Sequence, residues 1–162
     1  MIVPFIKSTK NIFEMMLQLD VSIGEPSVKK ESQPSYDVSG IISFSGDLNG
    51  SVVLSFPWDT AQRVVTLFTG MEITTDQREE LSDAVGELVN MIAGSAKAQF
   101  EGKNISISCP NMVLGDNHTV QAASDSVGVV IPCESDCGGF SVEVSSKASG
   151  SAAGGDASAQ AA

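Results

Sequence analysis

Phe5, Ile6, Ile12, Phe13, Met16 and Leu17, joined by Thr9, recur at three- and four-residue steps, the spacing of one apolar helix face. Pro4 fits the first turn of such a helix. The pattern carries it to about Leu19, ahead of the break at Gly24-Glu25-Pro26. The period then shortens. Tyr36, Val38, Ile42 and Phe44 read as a strand, Gly46-Asp47-Leu48-Asn49-Gly50 as a turn and Ser51–Phe56 as a second strand. Residues 36–56 are therefore a predicted β-hairpin. Pro57 stops it. Ala61, Val64, Val65 and Phe68 predict a helix over Thr60–Phe68, closed by Gly70. A long helical pattern follows from about Gln77 to Phe100, with Thr75 or Asp76 as N-cap and Gly102 marking its end. In the last third, Ile105 and Ile107 alternate with serines up to Pro110, and Gly115-Asp116-Asn117 marks a turn. Val127–Ile131 and Phe140–Val144 are two further strand candidates.

This order, helix, strands, helix, long helix, strands, predicts an α+β (mixed α/β) fold in which helices cover an apolar sheet face. Two successive helix–strand–strand halves are consistent with weak internal duplication, although no residue-level repeat supports it. Residues 1–146 form one expected domain. Residues 147–162 are almost wholly Ala, Gly, Ser, Asp and Gln, which predicts a flexible low-complexity tail, because such a segment has too little apolar surface to order itself. A native tail and an appended linker are both compatible with it.

Composition narrows the function classes. The net charge of −11, from 20 acidic and 9 basic residues, repels phosphate backbones and makes nucleic acid a poor partner. A phosphoprotein that brings its own cations is not excluded. No apolar run approaches the ~20 residues of a membrane span, and Met1–Phe5 lacks the features of a signal peptide. The expected location is cytoplasmic. Cys109, Cys133 and Cys137 are odd in number and without a secretory context, which argues against a disulfide scaffold. Cys133, Cys137 and the single His118 make a poor zinc set, so they read as ordinary thiols and an ordinary imidazole, and no metal site is expected.

The informative segment is Leu81–Lys97. On a helical wheel, Leu81, Val85, Leu88, Ile92, Ser95, Ala96 and Gln99 share the core side. Asp83, Glu87, Asn90, Gly94 and Lys97 form a stripe on the opposite side, at steps of four, three, four and three. Three local compromises mark that stripe. Asp83 and Glu87 are like charges one turn apart. Asn90 is a middling helix former. Gly86 and Gly94 each weaken the helix by about 1 kcal/mol relative to Ala, and they leave room for another surface. Compromises of this kind gather at functional sites, yet a solvated face with packing glycines is an equally physical account.

Asp83-x-x-x-Glu87-x-x-Asn90 resembles the (Asp/Ser)-x-x-x-Glu-x-x-Asn motif of the CheC/CheX/FliY chemotaxis phosphatases. Phe5–Asn11 resembles the opening helix of the CheX branch, Gly40–Ser55 its hairpin and Asp83–Gly94 its active helix. The likeness spans roughly residues 4–145. Only one such motif occurs, as Glu14 is followed three places on by Leu17, and this favours the single-site CheX type over the two-site CheC type.

The resemblance implies a CheC-like fold and an aspartyl-phosphate phosphatase acting on a phosphorylated CheY-like response regulator. It implies Glu87 and Asn90 as catalytic residues, with Asp83, Gly86 and Gly94 at the partner surface. It also implies a homodimer joined through the sheets, for which the apolar strands 127–131 and 140–144 are plausible edges. The chain would need no cofactor of its own, since Mg²⁺ would arrive on the regulator. The competing expectation is a non-catalytic module that docks a response regulator or a flagellar-switch component.

Overall fold

The computed structural model describes residues 2–30, 34–74, 76–115, 118 and 126–147. The predicted tail, apart from Lys147, and Asp116 and Asn117 of the predicted turn lie outside them. In chain order the elements are α1 (Val3–Leu17), β1 (Ser22–Ile23), β2 (Ser27–Val28), β3 (Val38–Gly46), β4 (Gly50–Phe56), α2 (Trp58–Thr69) and α3 (Arg78–Ala98). They continue with β5 (Ile105–Ile107), β6 (Asn111–Leu114), β7 (Ser126–Ser135) and β8 (Gly138–Lys147). All strand pairs are antiparallel. The sheet runs β1-β7-β8-β4-β3-β5, with β2 also along β7 and β6 also along β3.

Strand alternation sorts this sheet into two faces. One face carries Val38, Ile42 and Phe44 of β3, Val52, Leu54 and Phe56 of β4, and Phe140, Val142 and Val144 of β8. These join the buried residues of all three helices in one hydrophobic cluster. Phe13 of α1 stacks on Phe140 at 4.9 Å between ring centroids and 8° between planes, and Phe56 completes the trio. The opposite face is lined by serines: Ser39 and Ser55 share a hydrogen bond of 2.8 Å, as do Ser51 and Ser145. There Lys29 reaches Glu143 at 2.5 Å, and Ser35 donates to the same carboxylate.

Several boundaries differ from expectation, each for a local reason. α1 ends at Leu17, two residues early, because Gln18 turns left-handed (φ 51°) and its amide and that of Leu19 close on the carbonyls of Glu14 and Phe13. Asp76 does not cap α3. Its N-cap position is Gln77, without a side-chain cap bond. The Asp76 carboxylate instead takes the Thr74 hydroxyl, which holds its pKa below the usual carboxylate range; Thr75 lies outside the described residues. β8 is not an edge, since it pairs with β7 on one side and β4 on the other. The outer side of β7 is partly taken by β1 and β2. The segment 140–144 is therefore unavailable for pairing between copies, a correction to the expected dimer edges. Among the described residues, no helix is long and apolar enough to cross a membrane.

Candidate functional site

α3 crosses the helix-facing side of β3, and Gly40 sets how near it comes. A Cβ there would lie 3.1 Å from a Val89 methyl and 3.2 Å from the Met112 sulfur, tighter than ordinary packing allows. The helix is thus seated low on the sheet one residue before Asn90. Its buried arc is broader than the wheel implied. Ala84, Gly86, Val89 and Ala93 are buried along with Leu81, Val85, Leu88, Ile92 and Ala96, since α1 covers one flank and the sheet the other. Ser95 and Gln99, placed on the core side from sequence, lie at its margin. There Ser8 donates to Ser95 at 3.0 Å and receives the Gln99 amide at 2.8 Å.

Opposite that arc, Asp83 and Glu87 are exposed and Asn90 is half-buried. All three line one open cleft of about 470 Å³, together with Ser82 and Gly86. The other wall comes from residues that periodicity did not single out: Ile107, Ser108, Cys109, Pro110 and Met112. They belong to the strand that borders β3, which is broken into β5 and β6. The register explains the break. Phe44 faces Ile107 and Ile41 faces Asn111, and Ser108 is tied to Ser43. Ile42 is thus left opposite both Cys109 and Pro110. One residue set against two is a β-bulge, and Pro110, which has no amide proton for a ladder, suits it. The sequence signal for this wall was the Met112-Val113-Leu114 run just past Pro110.

The two glycines differ in what they face. A Cβ on Gly86 would meet Pro110 and Met112 at 3.5 Å, whereas one on Gly94 would meet nothing within 4 Å. The room beside Gly86 is therefore filled by the chain's own bulge, a correction to the open approach expected there. Gly94 offers unfilled space, but it lies outside the cleft lining.

The cleft combines two carboxylates and a neutral amide, and none of its lining residues is Lys, Arg or His. By itself it repels an anion. A phosphoryl group entering it needs cations supplied by the molecule that carries it. The other reactive side chains lie elsewhere. Burial pushes the Cys133 thiol up to about 12, with the Glu134 charge adding to the effect, and burial also raises Cys137. His118 bonds to Ser39 and to the Gly115 carbonyl, both at 2.8 Å. Among the described residues, no group of three His, Cys, Asp or Glu side chains could hold a metal ion.

Residues 38–134 match the family model for chemotaxis phosphatase CheX. The chain is 32% identical to the CheY-P phosphatase CheX of Thermotoga maritima over 120 residues, covering 72% of this chain and 74% of that protein. The crystal structure of a chemotaxis protein CheX from Desulfovibrio desulfuricans superposes with a TM-score of 0.82 at 32% identity, over 90% of this chain and 98% of the other. A CheX–CheY–BeF3–Mg²⁺ complex from Borrelia burgdorferi shares the fold, with a TM-score of 0.76 at 22% identity over 91% and 97% of the two chains. The motif helix lies inside the matched segment, and the chain belongs to the CheX family of chemotaxis phosphatases.

Proposed function

We propose that this protein accelerates hydrolysis of the aspartyl phosphate of a CheY-like response regulator in chemotaxis, with Glu87 and Asn90 as the working pair. Its Thermotoga relative is named for that activity on CheY-P, and the Borrelia relative was captured with CheY. The observation that carries the reading is the cleft itself. A carboxylate and an amide stand on one wall with no cation among the lining residues, which suits a phosphate that arrives already neutralised.

An aspartyl phosphate is an activated acyl phosphate, so the helper protein has only to place water in line and hold the partner in register. The Asn90 amide can both accept from and donate to a water without adding negative charge. It is too weak a base to take the proton, so its role is positioning. Glu87, one turn earlier and more exposed, pairs with a lysine of the regulator and fixes the docking register. Asp83 adds to that charge at the rim. Mg²⁺ belongs to the regulator and shields its phosphoryl oxygens. We place the reaction in the cytoplasm and propose a homodimer, for which light scattering on the eluted protein is the check.

The test is phosphate decay in a panel of phosphorylated receiver domains, with and without this protein. At least one receiver should lose phosphate faster with the wild type, and Asn90→Ala should abolish that gain while the receiver still co-elutes. Full activity of Asn90→Ala would overturn the assignment. Co-elution without faster decay by the wild type would leave a docking module instead.

A further inference from the structure

The bulge at Cys109-Pro110 stands across the cleft from Glu87 and Asn90, and it is held there deliberately by its neighbours. The Ser108 amide donates to the Ser43 carbonyl at 2.9 Å, and the Ser43 amide donates to the Ser108 hydroxyl at 3.0 Å. That hydroxyl in turn donates to the Cys109 carbonyl at 2.9 Å. Beneath it, Pro110 and Met112 close over Gly86. The two walls differ in character. The helix wall carries Asp83 and Glu87, while Ile107, Ser108, Cys109, Pro110 and Met112 opposite them are all uncharged.

We infer that the bulge is a second docking wall, so that the cleft selects a phosphorylated receiver with a cation on one side of its acyl phosphate and an uncharged, largely apolar surface on the other. This rests on the phosphatase reading above. The charges dictate the orientation. A phosphoryl group set against Asp83 and Glu87 without an intervening cation is repelled, so the partner's cation must face α3. The partner's remaining rim then meets the bulge, where a charged side chain would lose water without gaining a counter-ion. Asn90 is half-buried between the two walls, which means that only a projecting group reaches it. Ser108 acts as a positioning residue, setting the width of the opening through its bonds to Ser43.

Cys109 gives a direct probe, because it is exposed whereas Cys133 and Cys137 are buried. The full chain is labelled at Cys109 with N-ethylmaleimide or with a polyethylene-glycol maleimide, single labelling being verified by mass. Each form is then titrated against a phosphorylated receiver whose decay the unlabelled protein accelerates. Half-saturating concentration should rise with label size, by roughly tenfold or more for the polymer, as expected when a central contact of an interface is lost, while the rate at saturation holds. The same treatment of Cys109→Ser should change nothing relative to that variant untreated. Ser108→Ala should raise KM several-fold with kcat retained, and Ser108→Thr, which keeps the hydroxyl, should restore it. An unchanged KM for the polymer-labelled form overturns the second wall. An unlabelled protein that accelerates no receiver overturns the phosphatase reading itself, so the two failures are distinct.

Discussion

Glu87 and Asn90 stand three residues apart on the same wall of one cleft, with the carboxylate exposed and the amide half-buried. Under the proposed function, that difference in depth suits Glu87 to meet the partner first and Asn90 to meet the reacting group. Asn90→Asp preserves size and shape but adds a third carboxylate beside Asp83 and Glu87. It should lose acceleration as fully as Asn90→Ala, on the order of 10²-fold, because the new charge repels the phosphoryl oxygens. Radiolabelled receiver decay at saturating protein measures it, and activity near wild type would mean that neutrality at this position is irrelevant.

Much of this site was legible from residue order because α3 obeys one period for 21 residues, and such a run fixes which side chains share a face. That Asp83, Glu87 and Asn90 share a face follows from that period, while their reading as a site came from the resemblance to the phosphatase motif. The facing wall does not, since Ser108, Cys109 and Pro110 are brought there by a pairing offset between β3 and two short strands, and pairing register is a long-range property. The same limit applies to β8. Its apolar alternation announced a strand, but only the pairing with β4 and β7 shows that it lies inside the sheet. The two-residue strands β1 and β2 are too short to leave any periodicity.

Phe140 lies between Phe13 and Phe56, at 4.9 and 5.1 Å from their ring centroids, and all three rings are fully buried. Phe140→Ala should destabilise the fold by about 3–5 kcal/mol, the usual loss when a buried ring leaves a cavity. Urea denaturation measures this, and Phe140→Leu should recover part of it.

Lys29, just after β2, pairs with Glu143 on the polar sheet face, with side chains only 10% and 9% exposed. Neutralising one member leaves the other charge buried without its counter-ion, even though Lys29 also donates to Ser35 at 3.2 Å, at a cost of up to about 3–5 kcal/mol, whereas replacing both by apolar residues is far milder. Glu143→Gln should therefore be more damaging than the double variant Lys29→Met/Glu143→Leu. Comparing their urea midpoints decides it. The reverse ranking would mean that water reaches the pair freely.

The Cys133 thiol is raised by burial from an ordinary 9.0 to about 12. Between these values the unfolded chain releases a proton that the folded chain retains. The associated stability is complete below pH 9 and drains away as pH climbs toward 12. Cys133→Ala removes this term, so its stability should fall less steeply above pH 9 than that of the wild type. Cys137, raised in the same direction by burial, remains in both proteins and cancels in the comparison. Denaturation midpoints at pH 8, 9, 10 and 11 give the two slopes, and parallel slopes would remove Cys133 from the account.

Gly94 separates stability from docking. It lies within α3, and a Cβ there would touch nothing within 4 Å, so Gly94→Ala should stabilise the protein by up to about 1 kcal/mol through helix propensity alone. A partner surface lying against that open space would be pushed away by the new methyl group, raising KM for the phosphorylated receiver although the fold is firmer. The pairing of a higher melting temperature with weaker docking is the expected result. A higher melting temperature with unchanged KM would confine the docking surface to the cleft between α3 and the bulge, where Gly86 is already covered by Pro110 and Met112.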